Sequence, residues 1–191
     1  MGIGDISGDG KPDFVFTGRE EIVLIESLND TYVETGLSRG VVLEENQHYG
    51  WGIDIADFNN DGALDMYATF SHWELLEGND NVQEYNIEEQ PDALYILEED
   101  QFVNRAFEWG LDDVGRGRGF VLADLNEDGW LDIVLREIYN STTIHLSNCG
   151  AESWLNISLK DSSSGNYYGI GAQVTVVADG KRQVRWIKAG G

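Results

Sequence analysis

DFNNDGALD, residues 57–65, places three aspartates, two asparagines and a glycine in nine positions. Its flanks, GWGIDIA at 50–56 and MYATF at 66–70, are apolar and alternating, which is the pattern of β-strands. At ~5 Å and an effective dielectric of ~20, each carboxylate pair in such a loop repels by about 3 kcal/mol. That is a heavy load against a typical total stability of about 5–15 kcal/mol. Solvent screens the charge if the loop hangs in water as an ordinary acidic turn. A bound cation removes it.

The same spacing recurs as DISGDGKPD at 5–13 and DLNEDGWLD at 124–132. Asp occupies loop positions 1, 5 and 9, Gly position 6, and Ser or Asn position 3. Gly at position 6 permits a left-handed bend that returns position 9 towards position 1. Position 7 varies (Lys11, Ala63, Trp130), as expected where only a backbone carbonyl is used. The candidate ligand sets are Asp5, Ser7, Asp9, Lys11 and Asp13; Asp57, Asn59, Asp61, Ala63 and Asp65; and Asp124, Asn126, Asp128, Trp130 and Asp132. Hard oxygen donors on a flexible loop suit Ca²⁺ better than Mg²⁺, which prefers tighter octahedral sites. No Cys or His belongs to the pattern, which disfavours zinc and copper. About three calcium ions are therefore expected. An EF-hand opens in the same way but closes on Glu at position 12, between helices. Here position 12 is Phe16, Ala68 or Leu135, between strand-like flanks. One copy would suit a metal-free acidic turn; three matching copies favour a metal.

GDISGDGKPDFVFTG, GIDIADFNNDGALDMYATF and GFVLADLNEDGWLDIVLRE resemble FG-GAP/VCBS repeats, the calcium-loop blades of integrin α-type β-propellers. The upstream pairs Gly36-Leu37 and Gly110-Leu111 fit the same pattern, and the resemblance covers about residues 1–148. From 154 onward, WLNISLKDSSSGNYYGIGAQVTVVADGKRQVRWIKAGG resembles the start of a UnbV-type domain, which follows such repeats in the cartilage acidic protein family and its bacterial relatives. The resemblance implies an all-β fold: a partial β-propeller of antiparallel blades (1–148, about three repeats), then the first part of a small β domain (151–191).

Charge supports a boundary near residue 150. Residues 151–191 carry a net +2 and the remainder −25, making up the overall −23. So acidic a surface disfavours nucleic acid as a partner. GRGRG at 115–119, a basic cluster within the acidic part of the chain, reads as a flexible turn before a strand at 120–122. No stretch approaches the ~20 apolar residues of a membrane span. Four residues before Asp5 are too few for a full leading strand, and no signal peptide is visible in them. The chain is thus expected to be a piece of a longer secreted, surface or periplasmic protein, with an incomplete first repeat and a truncated last sheet.

Loop starts lie 52 and 67 residues apart, the scale of a propeller blade. The extra length falls at 71–91, a polar stretch that reads as a decorated surface loop or a binding loop. Trp51, Trp109, Trp154 and Trp186 sit in strand-like patterns and are expected to pack between blades. Trp73 and Trp130 are the candidates for an exposed ligand surface, for a protein or carbohydrate partner. Lone Cys149 permits no internal disulfide. His48, His72 and His145 share no motif, and neither a nucleophile elbow nor a phosphate loop is present. A non-enzymatic, calcium-stabilised extracellular binding or adhesion module is the expectation. The alternatives are a non-catalytic part of a secreted enzyme and a self-associating structural module. A hairpin is expected at Asp179-Gly180.

Overall fold

The computed structural model describes residues 1–43, 49–71, 90–138, 140–148 and 150–189. The stretch around Trp73, together with His48, His72 and Cys149, lies outside the described residues. The fold is all-β. Strands β1 (Gly2–Gly4), β2 (Asp13–Thr17), β3 (Ile22–Leu28) and β4 (Thr31–Glu34) form a first antiparallel sheet in chain order. A second follows with β5 (Gly50–Ala56), β6 (Asp65–Phe70), β7 (Ala93–Glu98) and β8 (Gln101–Asn104). The third holds β9 (Gly117–Ala123), β10 (Asp132–Glu137) and β11 (Thr143–His145). Among the described residues, strands β12 (Gln173–Ala178) and β13 (Lys181–Trp186) pair only with each other.

In the first three sheets the acidic nonapeptide joins the first strand to the second, so the loops lie between strands as the alternating flanks require. Tight turns close the outer hairpins. Asn29-Asp30, Glu99-Asp100 and Asp179-Gly180 all have positive φ at both residues. That geometry matches the right-handed twist of paired strands. The expected Asp179-Gly180 hairpin is present in full register, from Ala178 opposite Lys181 to Gln173 opposite Trp186.

Several expectations are corrected. The first repeat does have a leading strand: Gly2, Ile3 and Gly4 pair with Val15, Phe14 and Asp13. Three residues suffice because the loop anchors one end and the pairing needs only backbone. GRGRG is not wholly a turn, since β9 begins at Gly117. The Arg118 guanidinium lies 3.9 Å from the centre of the Trp51 ring, and the Trp51 indole N–H donates to the Ser71 carbonyl at 2.9 Å. The basic cluster therefore serves contact between the second and third sheets. Gly52 and Gly119 permit close approach there, where a Cβ on Gly52 would stand 3.1 Å from the Gly119 Cα. Trp109 belongs to a one-turn helix, α1 (Ala106–Trp109), and Trp154 to a segment without strand; only Trp51 and Trp186 are in strands.

The second sheet is the filling of a sandwich. Strand β6 is buried along its whole length. One face, Met66, Ala68 and Phe70, joins Val15, Leu24 and Ile55 in the core against the first sheet. The other face carries Tyr67 against Ile133 and Leu135 of the third. Tyr67 meets Phe120 edge-on, with ring centres 4.8 Å apart. Full burial of each such side chain contributes roughly 1.5–3 kcal/mol.

A buried carboxyl group, Asp92, sits inside this second interface. Asp92 is 2 % exposed and accepts from the Tyr67 hydroxyl at 2.7 Å and the Phe70 N–H at 2.9 Å. Burial drives its pKa well above the usual carboxylate value, and the nearby charges of Asp113 and Glu137 push the same way. The folded state thus holds the Asp92 proton more tightly than the unfolded chain. Its contribution to stability is full below about pH 4, the ordinary Asp range, and is lost as pH rises through the raised value. Asp92→Asn keeps an acceptor for Phe70 and removes that dependence. Its melting temperature relative to wild type should climb as pH rises above the ordinary Asp range of about 4; a gap that stays constant with pH would show that Asp92 does not titrate in this way.

Candidate metal centre

The three loops share one backbone design. Position 6 is left-handed in each, at Gly10 (φ +87°), Gly62 (+93°) and Gly129 (+88°), as the spacing demands. Position 4 is left-handed as well, at Gly8, Asn60 and Glu127, which the sequence pattern did not reveal. Two left-handed residues around one ordinary residue curl the chain so that successive N–H groups turn inward.

Position 1 receives those groups. Asp57 accepts from the Asp61 N–H at 3.1 Å and the Gly62 N–H at 2.9 Å. Asp124 accepts from Asp128 and Gly129 at 3.0 and 2.9 Å. In the first loop both Asp5 oxygens accept from Gly10, at 3.1 and 3.0 Å. Position 5 accepts from the N–H of position 7: Lys11, Ala63 and Trp130 donate to Asp9, Asp61 and Asp128 at 2.8, 2.7 and 2.9 Å. Asn59 and Asn126 lie across their loops, donating to Asp61 and Asp128 at 3.0 and 2.8 Å. The second and third loops match bond for bond. The first differs by carrying Ser7 where they carry Asn.

Position 9 does something else. Asp13, Asp65 and Asp132 are each 0 % exposed, whereas the position-5 aspartates face solvent. One oxygen of each accepts from the start of its own loop: Ser7 to Asp13 at 2.7 Å, Phe58 to Asp65 at 2.9 Å, Leu125 to Asp132 at 2.8 Å. The other oxygen accepts from the next part of the sheet, from Ser27 in β3, Leu97 in β7, and Ser147 just beyond β11. These carboxylates staple loop, second strand and third strand together.

Electrostatics leave the loops short of positive charge. Burial raises the pKa of Asp5 and of Asp57, with repulsion from neighbouring loop aspartates adding to it. Asp65 is pushed to about 7, by burial first and then by Asp57 and Asp61, against the opposing N–H bonds of Leu97 and Phe58. Among the described residues, no group of three or more His, Cys, Asp or Glu side chains stands arranged to hold a metal. The donor set is nevertheless all oxygen in character at positions 1, 5 and 9. An oxygen bonded to a single N–H keeps a second lone pair. On that chemistry the residues present fit a hard cation.

Trp130 is corrected. It is 8 % exposed rather than outward-facing, and a Cβ on Gly150 would overlap its ring. Trp154 in turn covers Gly129, where a Cβ would run into the indole. The chain after the third sheet folds back over its loop, a long-range contact that spacing could not show. It also crosses the other two loops. Gln173 donates to the Gly10 carbonyl at 2.8 Å, and Lys181 to the Asp61 carbonyl at 3.3 Å. Arg185 stands 3.8 Å from Asp57, and Lys188 3.1 Å from Asp54. A cavity of about 330 Å³ remains between the second loop (Asp61, Gly62, Ala63) and the hairpin tip (Lys181, Arg182, Gln183).

No curated protein matches the chain. Residues 5–68, from the first loop through the second and into β6, match the family model described as an FG-GAP-like repeat. That part of the chain carries an FG-GAP-like repeat within an all-β, antiparallel fold.

Proposed function

We propose that the chain is a calcium-stabilised, non-enzymatic binding or adhesion module of the cell surface, extracellular space or periplasm. In this reading the first three sheets are blades of a β-propeller, and residues 151–191 begin a UnbV-type β domain. The observation that carries it is the threefold recurrence of one loop design, with oxygen donors at positions 1, 3, 5 and 9 and like charge concentrated in each loop. Asp57, Asn59, Asp61, the Ala63 carbonyl and Asp65 would hold one ion, and the equivalent residues of the other loops would hold two more. Bound calcium would supply positive charge that lets each loop keep its carboxylates close and ionised. The rigid loop edges would then present a surface to a protein or carbohydrate ligand.

The non-enzymatic reading draws on the same bonds. The loop carboxylates are engaged by backbone N–H groups, which suits a structural role better than proton transfer. A non-catalytic part of a secreted enzyme is the alternative. Self-association is a second reading with its own observation: Val121, Ile144 and Leu146 on and beside the third sheet are 60, 55 and 59 % exposed. A sheet face and edge of that kind pairs readily with another chain.

Calorimetry on metal-stripped protein should find about three calcium sites, each weaker for magnesium. Because a ligand of the folded state stabilises by mass action, calcium at 100 times its Kd should add about 2.7 kcal/mol per independent site. Asp61→Ala should lose part of that gain, and Glu108→Ala, on α1 beside Arg105, should keep all of it. Absence of heat at millimolar calcium, or equal losses in the two variants, would sink the reading.

A further inference from the structure

Among the described residues the hairpin β12–β13 has no hydrogen-bonded neighbour strand, yet Val184 at its centre is only 1 % exposed. Strand β13 packs against β1 of the first sheet, and the hairpin tip faces the second loop. The hairpin brings basic side chains to the first two loops from a segment of opposite net charge, +2 against −25 for the rest of the chain. The Arg182 guanidinium lies on the first loop, where a Cβ on Gly10 would stand 2.8 Å from its terminal nitrogen. Arg185 stands 3.8 Å from the Asp57 carboxylate of the second loop, and its charge acts on Asp57, Asp5 and Asp65. Gln173 and Lys181 add hydrogen bonds to the Gly10 and Asp61 carbonyls. The third loop is treated differently, since the indole of Trp154 rather than a cation lies over Gly129.

We infer that the β12–β13 hairpin is a built-in counter-ion for the first two loops, whose Arg182 and Arg185 compete with a divalent cation for the same carboxylates. The inference rests on the calcium reading proposed above and extends it to regulation. A guanidinium and a divalent ion beside one carboxylate repel each other, so metal binding weakens hairpin docking. By reciprocity the docked hairpin weakens metal binding by the same factor. Undocking has a structural consequence, because a lone two-stranded hairpin is at best marginally stable in water. Calcium in the first two loops therefore loosens residues 173–186 and exposes the loop edge, whereas the third loop binds without reference to the hairpin. The chain carries a calcium-responsive strap.

The test compares wild type, the double variant Arg182→Gln/Arg185→Gln, and the control Arg136→Gln, which removes the same type of charge from β10. Metal-stripped samples are titrated with calcium chloride by calorimetry. The double variant should bind calcium about tenfold more tightly at two sites, within the range of about 5–150-fold typical of coupled sites, with the third site unchanged. The control should match wild type. In parallel, amide hydrogen exchange on wild type alone should speed up across 173–186 when calcium is added, a readout that needs no variant to fold. Equal affinities in the double variant and wild type, or unchanged or slower hairpin exchange with calcium bound, would overturn the strap while leaving the calcium loops standing. Absence of binding in all three proteins would remove the calcium reading itself, and the strap with it.

Discussion

Everything in the three repeated sheets depends on a buried carboxylate that has no cation beside it in its own strand. Asp13, Asp65 and Asp132 each open the second strand of a sheet and are sealed from solvent. Burying an ionised carboxylate costs several kcal/mol unless hydrogen bonds offset it. Here two backbone N–H groups offset part of that cost, one from the loop just traversed and one from the next strand or the segment beyond it. Hydrogen bonds to a charged acceptor are about twice as strong as neutral ones. The staple is also directional: it forms only if the loop curls left-handed at positions 4 and 6. Loop shape and strand register are thus fixed by one residue.

The sheets then have little freedom left. With its start pinned, β6 must alternate Met66, Ala68 and Phe70 to one side and Tyr67 and Thr69 to the other, and both sides find neighbours. A slip of one residue would move Tyr67 into the face now packed by Met66 and Phe70, and would part Asp65 from Phe58 and Leu97. The position-5 aspartates are left at the loop surface, with the position-1 aspartates buried or half-buried beside them, bonded to local N–H groups and short of positive charge. In this account the staple serves the fold, and the outer carboxylates are what a cation, or the basic hairpin, acts on.

Much of this was legible in the sequence. Asp and Gly spacing located the loops, alternation located the strands flanking them, and Asp179-Gly180 located the last hairpin, because each is a local rule acting within a few residues. The misreadings share a cause. Trp130 was expected to face outward because its loop position needs only a carbonyl, but residue 150 folds back over it. GRGRG read as a turn because glycine weakens strands, whereas close approach to the second sheet makes glycine a requirement there. Position 9 shares its residue type with positions 1 and 5, so the loop alone did not show its further partners in β3, β7 and the segment beyond β11, which lie 14, 32 and 15 residues away. Local chemistry is written in the loop, but the use each carboxylate finds is decided by distant backbone.

The most direct test separates the staple from the cation-facing carboxylates by removing metal altogether. Asp132→Asn and Asp128→Asn change the same side chain four residues apart in one loop, and denaturation of both in chelator excludes any contribution of bound metal. In Asp132→Asn, one amide NH₂ must face a backbone N–H in a fully buried site, so the loss should be about 2–3 kcal/mol or more. Asp128→Asn, exposed and still able to accept from Trp130, should stay within about 1 kcal/mol of wild type. Small and equal losses in the metal-free state would contradict the account, because position 9 would then matter only as a ligand and the staple would hold nothing together.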